Sequence, residues 1–301
     1  MNITNIRTFL TVIQTKTISQ AASLLYVSQS TVSSRLQQLE DEMGVVLIER
    51  KKGMRGVELT EKGKNFIPLA ERWMLLSKET DYYSHNESEV LLTIAASDSL
   101  NTYLFPPLFH ALLQNEEKLK LRICSPSAQV IYQMIDGYEA DIGFVHFASR
   151  YVNIVTKPIM DEAMVLLCSS LGDWPDRPIA PEELDPSFEV NLRWSHEVEV
   201  WHDAHWDPSI RPYVKLETVS IIDVFFDNPR SWALCSNSVA IQLVHAQSNV
   251  KILQLTEEIP RRVCYQVTRK NQSAQSSAST EMFERYFDHF IESRSYISRI
   301  R

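Results

Sequence analysis

Ala21-Ala22-Ser23-Leu24-Leu25-Tyr26-Val27-Ser28-Gln29-Ser30-Thr31-Val32-Ser33-Ser34-Arg35-Leu36-Gln37-Gln38-Leu39-Glu40 reads as two short helices joined by a tight turn. Ala21, Ala22 and Leu25 give the first helix a small apolar packing face. Ser28 is suited to cap the second, because its hydroxyl can accept from an unpaired amide. Val32, Leu36 and Leu39 recur at helical spacing and mark that helix's inner side. The other side carries Gln29, Ser30, Thr31, Ser33, Ser34 and Arg35. These are hydrogen-bonding groups with little net charge, a set that suits reading base edges in a major groove. The pattern is helix-turn-helix. A solvated helical hairpin would share it, so the flanking sequence has to decide.

Gly44-Val45-Val46-Leu47-Ile48-Glu49-Arg50 follows as a turn and strand. Lys51-Lys52-Gly53-Met54-Arg55-Gly56-Val57-Glu58-Leu59-Thr60 then offers two glycines for a reversal, basic residues near its tip and an apolar return. This is a wing, a hairpin that brings Arg50, Lys51, Lys52 and Arg55 towards phosphates or a minor groove.

By motif order and spacing, the first ~65 residues resemble the winged helix-turn-helix domain of LysR-type transcriptional regulators. The matching residues are Phe9-Leu10-Thr11-Val12, Ser19-Gln20-Ala21-Ala22, Val27-Ser28-Gln29-Ser30, Val32-Ser33, Leu39-Glu40, Gly44, Leu47, Glu49-Arg50, Leu59-Thr60 and Gly63. Three positions depart from the family pattern. Ile18 and Ile48 stand where aromatics are usual, and both keep the core apolar with some repacking. Ser34 replaces a common Arg or Lys, a charge for which Arg35 is a partial substitute.

The formal charge of −8 argues against a nucleic-acid partner only if it is spread evenly. Residues 1–65 hold nine Lys and Arg against six acids, a net of +3, which leaves −11 on the rest. A basic head on an acidic body confines DNA contact to the head. Cys124, Cys168, Cys235 and Cys264 are far apart, with no metal-ligand or redox spacing. They read as small buried hydrophobes. Neither a leader-like N-terminus nor an apolar run of membrane-spanning length is evident, so a cytoplasmic chain is expected.

Thr60-Glu61-Lys62-Gly63 reads as the capped start of a long helix. Phe66, Leu69, Ala70, Trp73 and Leu76 form an apolar stripe along it, fit for a partner helix. Pro68 is expected to kink or loosen one turn. The polar run Tyr83–Glu89 reads as a hinge. From residue 90, strand-like runs (Val90–Ala96, Leu119–Cys124, Ile142–Val145, Met164–Cys168) alternate with helical patterns, which predicts a largely parallel sheet with crossover helices. A second set covers Phe188–Trp194, Tyr213–Leu216, Trp232–Cys235 and Val250–Leu255. Val263–Val267 then leads into a polar loop, Asn271–Ser279, and a last helix carries Met282, Phe283, Tyr286, Phe287, Phe290 and Ile291. The expected layout is an α/β protein. A winged head spans 1–60, a dimerising helix and hinge 61–89, and a two-lobed body 90–301. Lobe 1 takes about 90–160 with 268–301, and lobe 2 about 161–267. The resemblance implies that this body is similar to periplasmic binding proteins and takes a small-molecule effector between its lobes.

Ala95-Ala96-Ser97-Asp98-Ser99-Leu100 and Ser125-Pro126-Ser127-Ala128 each join a strand end to a helix start, where hydroxyls and free amides suit an anion. The resemblance assigns Ser97, Ser99 and Ser127 to the effector pocket. Trp194 and Ser195 are the lobe-2 candidates, and Arg193 is either a carboxylate partner or half of a surface ion pair. Trp201, His202, His205 and Trp206 read as an aromatic cluster or pocket wall in preference to a metal site, since no Cys or patterned carboxylates join them. Asn228–Val239 lacks the family's usual glycine-rich turn. No nucleophile elbow, phosphate loop, zinc-protease motif or dinucleotide fingerprint supports an enzyme. An enzyme or ligand-binding α/β protein merely localised by its head remains the alternative. The expected partners are double-stranded DNA, a small effector, further copies of the chain as a homodimer or homotetramer, and RNA polymerase if the chain activates. No cofactor or metal is expected.

Overall fold

The computed structural model describes residues 2–49, 56–84, 90–246 and 249–300. Arg50, Lys51, Lys52 and Arg55 of the expected wing tip, and residues 85–89 of the expected hinge, lie outside them. The chain forms two compact units, one centred on residues 1–89 and one on residues from 90 onward.

In the first unit, helices α1 (Ile3–Thr15), α2 (Ile18–Leu24) and α3 (Gln29–Met43) precede the hairpin strands β1 (Ile48–Glu49) and β2 (Glu58–Leu59) and the helix α4 (Glu61–Ser84). Asn2, Thr17 and Ser28 cap the first three helices through their side chains. Gly44 ends α3 in the left-handed region, with Gly44 N donating to the Asp41 carbonyl and Val45 N to the Glu40 carbonyl. Ile6, Phe9, Ala21, Val32, Leu36, Leu39 and Ile48 are buried together, and Ile18 packs at their edge. The core therefore accepts both departures from the family's aromatics. Glu40 is buried, and its Oε1 accepts from Leu47 N at 2.7 Å and Ile48 N at 3.0 Å. One carboxylate thus ties the end of α3 to the start of the hairpin.

Thr60 caps α4 by accepting from Gly63 N at 2.9 Å. Gly63 itself is required there, because a Cβ would lie 2.1 Å from the Leu47 carbonyl oxygen. The expected kink at Pro68 does not interrupt α4, which runs on to Ser84. Pro68 is exposed, and water can meet the Lys64 carbonyl that it leaves unbonded. The single stripe expected on this helix divides in two. Phe66, Ala70 and Met74 pack into the head, with Phe66 and Phe9 rings 5.3 Å apart. Leu69, Trp73 and Leu76 remain 61%, 42% and 50% exposed on another face.

In the second unit, β3 (Val90–Ala96), a π-helical turn at Leu100–Leu104, α5 (Pro106–Asn115), β4 (Leu119–Cys124), α6 (Ala128–Asp136) and β5 (Ile142–Val145) alternate as the sequence predicts. β6 (Ile154–Glu162) and β7 (Met164–Ser169) then cross from one lobe to the other. β8 (Val190–Leu192), α7 (His196–His205), β9 (Val214–Leu216), β10 (Trp232–Ser236), α8 (Asn237–His245) and β11 (Val250–Leu253) build the second lobe. β12 (Arg262–Arg269), α9 (Ala274–Glu292) and β13 (Ile297–Arg299) return to the first.

The lobe-1 sheet runs β13-β6-β12-β5-β3-β4, with β3 parallel to β4 and β5 but β12 and β13 antiparallel to their neighbours. In lobe 2, β10-β7-β11 is antiparallel and β8-β9 parallel. Only part of the body therefore shows the expected parallel order, because β12 in lobe 1 and β7 in lobe 2 run against the strands on either side of them. The expected loop at Asn271–Ser279 is mostly α9. Its small polar residues serve close packing: Ser279 and Thr280 are buried, and Ser276 donates to Asp141 at 3.0 Å. Phe105, Phe144, Phe283 and Phe287 form the aromatic centre of lobe 1.

Candidate functional site

In the head, α3 presents Gln29, Ser30 and Ser34 to solvent, with Thr31, Ser33 and Arg35 half-buried beside them. Ser28 is committed locally. It accepts from Thr31 N at 3.1 Å, and its hydroxyl lies 2.7 and 2.8 Å from those of Ser30 and Thr31. It therefore positions the helix start more than it reads. Ser30, Thr31, Ser34, Arg35 and Gln38 line an open groove, with Asn2, Thr4 and Asn5 from the start of α1 on the other side. Polar side chains and the amide-rich start of α1 thus share one face, an arrangement that can meet both base edges and phosphates. Tyr26, in the turn before α3, holds φ at 54°, a left-handed conformation costing about 1–2 kcal/mol for a residue with a Cβ.

In the body, a buried polar cluster joins the lobes. Arg262 is 6% exposed and donates to Ser99 Oγ at 3.0 Å, and its guanidinium stacks on the Trp194 ring at 4.5 Å. Ser99 belongs to lobe 1 and Trp194 to lobe 2, so this side chain touches both. The Trp194 indole N–H donates to the Leu234 carbonyl at 2.7 Å. Ser97 Oγ and Ser195 Oγ are buried nearby in the chain, and neither has a hydrogen-bond partner. His146 Nδ1 lies 3.1 Å from the Val263 carbonyl, while its Nε2 is unpartnered. Burial, with the Arg262 charge as a second cause, holds the His146 pKa well below the ordinary value. Burial pushes Arg262 down to about 10 against the opposing Glu162 carboxylate, and it stays protonated at neutral pH.

Of the five sequence candidates in the body, Ser99 and Trp194 therefore meet through Arg262, Ser195 is buried, and Ser97 is half-buried with its hydroxyl inside. Ser127 is exposed at the start of α6, where its carbonyl accepts from Ile131 N. Arg193 is the surface ion pair, bonded to Glu199 at 3.0 Å with its side chain 79% exposed.

The lobes are also latched. Asp98 Oδ2 accepts from the Thr218 hydroxyl at 2.6 Å, Val219 N at 3.1 Å and Ser220 N at 3.3 Å. Tyr103 donates to the Val219 carbonyl beside them. Where a glycine-rich turn is usual, Ser236 leads into α8, and buried Glu162 accepts from Ser238 N at 2.5 Å. The chain's own carboxylate thus occupies that helix start.

The Trp/His segment packs with Trp232: Trp206 lies 4.8 Å from it, and the Trp201 and His205 rings are 4.1 Å apart. It also walls a lobe-2 cavity of about 580 Å³ that Trp194, His202, Trp206 and Lys215 line. No cluster of three or more metal-ligating side chains occurs among the described residues. His202 contacts buried Glu189 at 3.2 Å and Asp203 at 3.0 Å. Burial opposes its charge, but those two carboxylates outweigh burial and raise its pKa. A raised folded value stabilises fully below the ordinary pKa of about 6.5 and loses that stabilisation as pH climbs through the folded value. His205, bonded to Glu257, has the same sign. Neutral buried His146 has the opposite sign, and its stabilisation is lost below about 6.5. The melting temperature of the body should therefore fall as pH rises from about 6.5 to 8, and His202→Gln should flatten that limb. A wild-type profile that is flat or rising there contradicts the pairing.

The sequence profile described as "Bacterial regulatory helix-turn-helix protein, lysR family" matches residues 3–64, and that described as "LysR substrate binding domain" matches residues 85–287. The chain belongs to the LysR family. A LysR head and a LysR substrate-binding domain account for both units. Among relatives, the HTH-type transcriptional regulator HdfR of Yersinia pestis is 29% identical over 216 residues, 70% of this chain and 65% of that protein. A probable RuBisCO transcriptional regulator of Phaeodactylum tricornutum is 31% identical over 133 residues, 43% of each chain. These matches span less than two thirds of the relatives' lengths. Among solved structures, full-length OxyR from Pseudomonas aeruginosa superposes with a TM-score of 0.63 at 21% identity, covering 95% of this chain and 94% of that one. CbnR complexed with its target DNA gives 0.54 at 20% identity, covering 95% and 99%. Both likenesses concern the fold. No helix among the described residues is long and apolar enough to cross a membrane.

Within this LysR fold, four residues of the inter-lobe contacts are not legible in the sequence. Asp98 appears in the sequence only as part of the Ala95–Leu100 turn, and His146, Glu162 and Arg262 fall just outside the strand-like runs read there. Arg262 and Glu162 lie at the ends of their strands beside the charged Arg261 and Asp161, so local sequence carries no signal for either.

Proposed function

We propose that this LysR-family chain regulates transcription by reading an interrupted dyad with paired heads, and that a small effector bound between the two body lobes tunes that binding. The observation that carries the reading is α3, capped by Ser28, with Gln29, Ser30 and Ser34 exposed along one face. Gln29 and Ser33 are the proposed base readers, Arg35 lies near bases or backbone, and the wing's basic residues act on phosphates. The exposed stripe Leu69, Trp73 and Leu76 of α4 is the proposed seam for a second copy, since two heads are needed for two half-sites. In the body, the buried and unpartnered Ser97 and Ser195 hydroxyls, with Ser99 and Trp194, support the effector reading, and Ser127 is proposed at its rim. An effector that favours one arrangement of the lobes shifts the oligomer towards it.

Gln29→Ala should cost about 1–3 kcal/mol on the cognate site and relax preference at the position it reads. Gel-shift titrations on cognate and scrambled duplexes check this. Equal losses on both show that Gln29 contributes no sequence information.

A further inference from the structure

We propose that Arg262 and His146 make the inter-lobe site selective for a small 2-hydroxy carboxylate. The proposal rests on the inter-lobe reading above and adds the chemical class of the effector.

A buried guanidinium that keeps its charge needs an anion, or its desolvation goes uncompensated. Among the described residues, Arg262 has no ion pair within 4 Å, and the buried Glu162 carboxylate supports its charge only from further off. Its register partner across the sheet is Glu162, which spends Oε1 on Ser238 N at the start of α8. The Arg262 side chain makes one hydrogen bond, to Ser99, and its Nε has no acceptor. A carboxylate or similar oxyanion supplies acceptors to that edge.

His146 asks for the opposite group. Its ring is neutral, and the contact with the Val263 carbonyl places the ring proton on Nδ1. Nε2 is then a lone pair, buried and unpartnered, which only an N–H or O–H can satisfy. An inorganic anion meets Arg262 and leaves this acceptor bare. An ammonium group meets His146 but is repelled by the neighbouring guanidinium. A hydroxyl beside a carboxylate answers both. The Ser97 and Ser195 hydroxyls, each able to donate or accept, take the remaining lone pairs. Because Arg262 bonds to Ser99 in lobe 1 and stacks on Trp194 in lobe 2, an anion held there touches the contact between the lobes.

The test is calorimetric titration of the full-length protein with glycolate, acetate and glycolamide at constant ionic strength. Glycolate should bind, acetate about 10-fold more weakly for want of one hydrogen bond, and neutral glycolamide about 100-fold more weakly. His146→Phe should reduce glycolate to the level of acetate, and Arg262→Met should remove binding of both. Glycolamide binding equal to glycolate, no binding of any probe, or acetate and glycolate binding alike overturns the proposal. So does an Arg262→Met protein that folds and keeps its glycolate affinity. If that variant does not fold, the three wild-type isotherms and His146→Phe decide. None of these outcomes touches the DNA reading, whose own failure appears as a loss of specific DNA binding.

Discussion

Replacing Glu40 with alanine lowers the stability of the head by about 2–4 kcal/mol and weakens specific DNA binding with it. The carboxylate is 8% exposed and accepts from two backbone amides, Leu47 N and Ile48 N. Leu47 and Ile48 are themselves buried, so alanine leaves both amides away from water without an acceptor. Each such loss costs about 1–3 kcal/mol, and the total is a large part of what a small domain has. The same bonds hold the hairpin against α3, so the wing loses its register on the helix before the head unfolds. Glu40→Gln keeps an acceptor oxygen and should recover part of the loss. Urea unfolding followed by head-specific hydrogen exchange measures it. An alanine variant as stable as wild type shows that the carboxylate does not tie the hairpin to α3.

Charged residues in the α4 stripe should abolish dimerisation. Leu69, Trp73 and Leu76 lie three and four residues apart and stay largely exposed, while Phe66, Ala70 and Met74 on another face are satisfied within the head. A Trp73→Glu, Leu76→Glu double variant removes apolar burial from the proposed helix pair and puts charge in its seam. Because these side chains do not pack in their own head, the head's fold should survive. Losing the tether between two heads should cost operator affinity about 10²–10⁴-fold, the usual gain from linked binding. Sedimentation velocity should show a smaller species at equal protein concentration. An unchanged oligomer means that the body, not α4, joins the copies.

The head was the most legible part of the sequence. Local rules act there within a few residues: Ser28 caps α3, Gly44 ends it, Thr60 starts α4, and Val32, Leu36 and Leu39 point inward. The α4 stripe looks like one face in the sequence because apolar spacing alone does not reveal which side the head covers. In the body, the strands of the first α/β repeat were legible from their apolar runs. β6 was not, because its Lys157-Pro158 and Asp161-Glu162 break the pattern and its pairing with β12 is long-range. The start of α9 was missed for a related reason. Ser279 and Thr280 look like loop composition but are buried in close helix packing. The inter-lobe cluster shows the same limit. Ser97 and Ser99 were visible as residues at a strand-to-helix turn. Arg262, His146 and the Asp98 latch depend on contacts between positions more than a hundred residues apart, which no local pattern encodes.

The central claim is that paired heads on this chain read a dyad. Footprinting of the purified protein on the DNA flanking its own gene tests it most directly. Two protected half-sites on one face of the duplex, separated by a whole number of turns and lost together in Gln29→Ala, are the predicted result. Uniform coverage that rises with protein concentration, is independent of sequence and is unchanged by Gln29→Ala would contradict it.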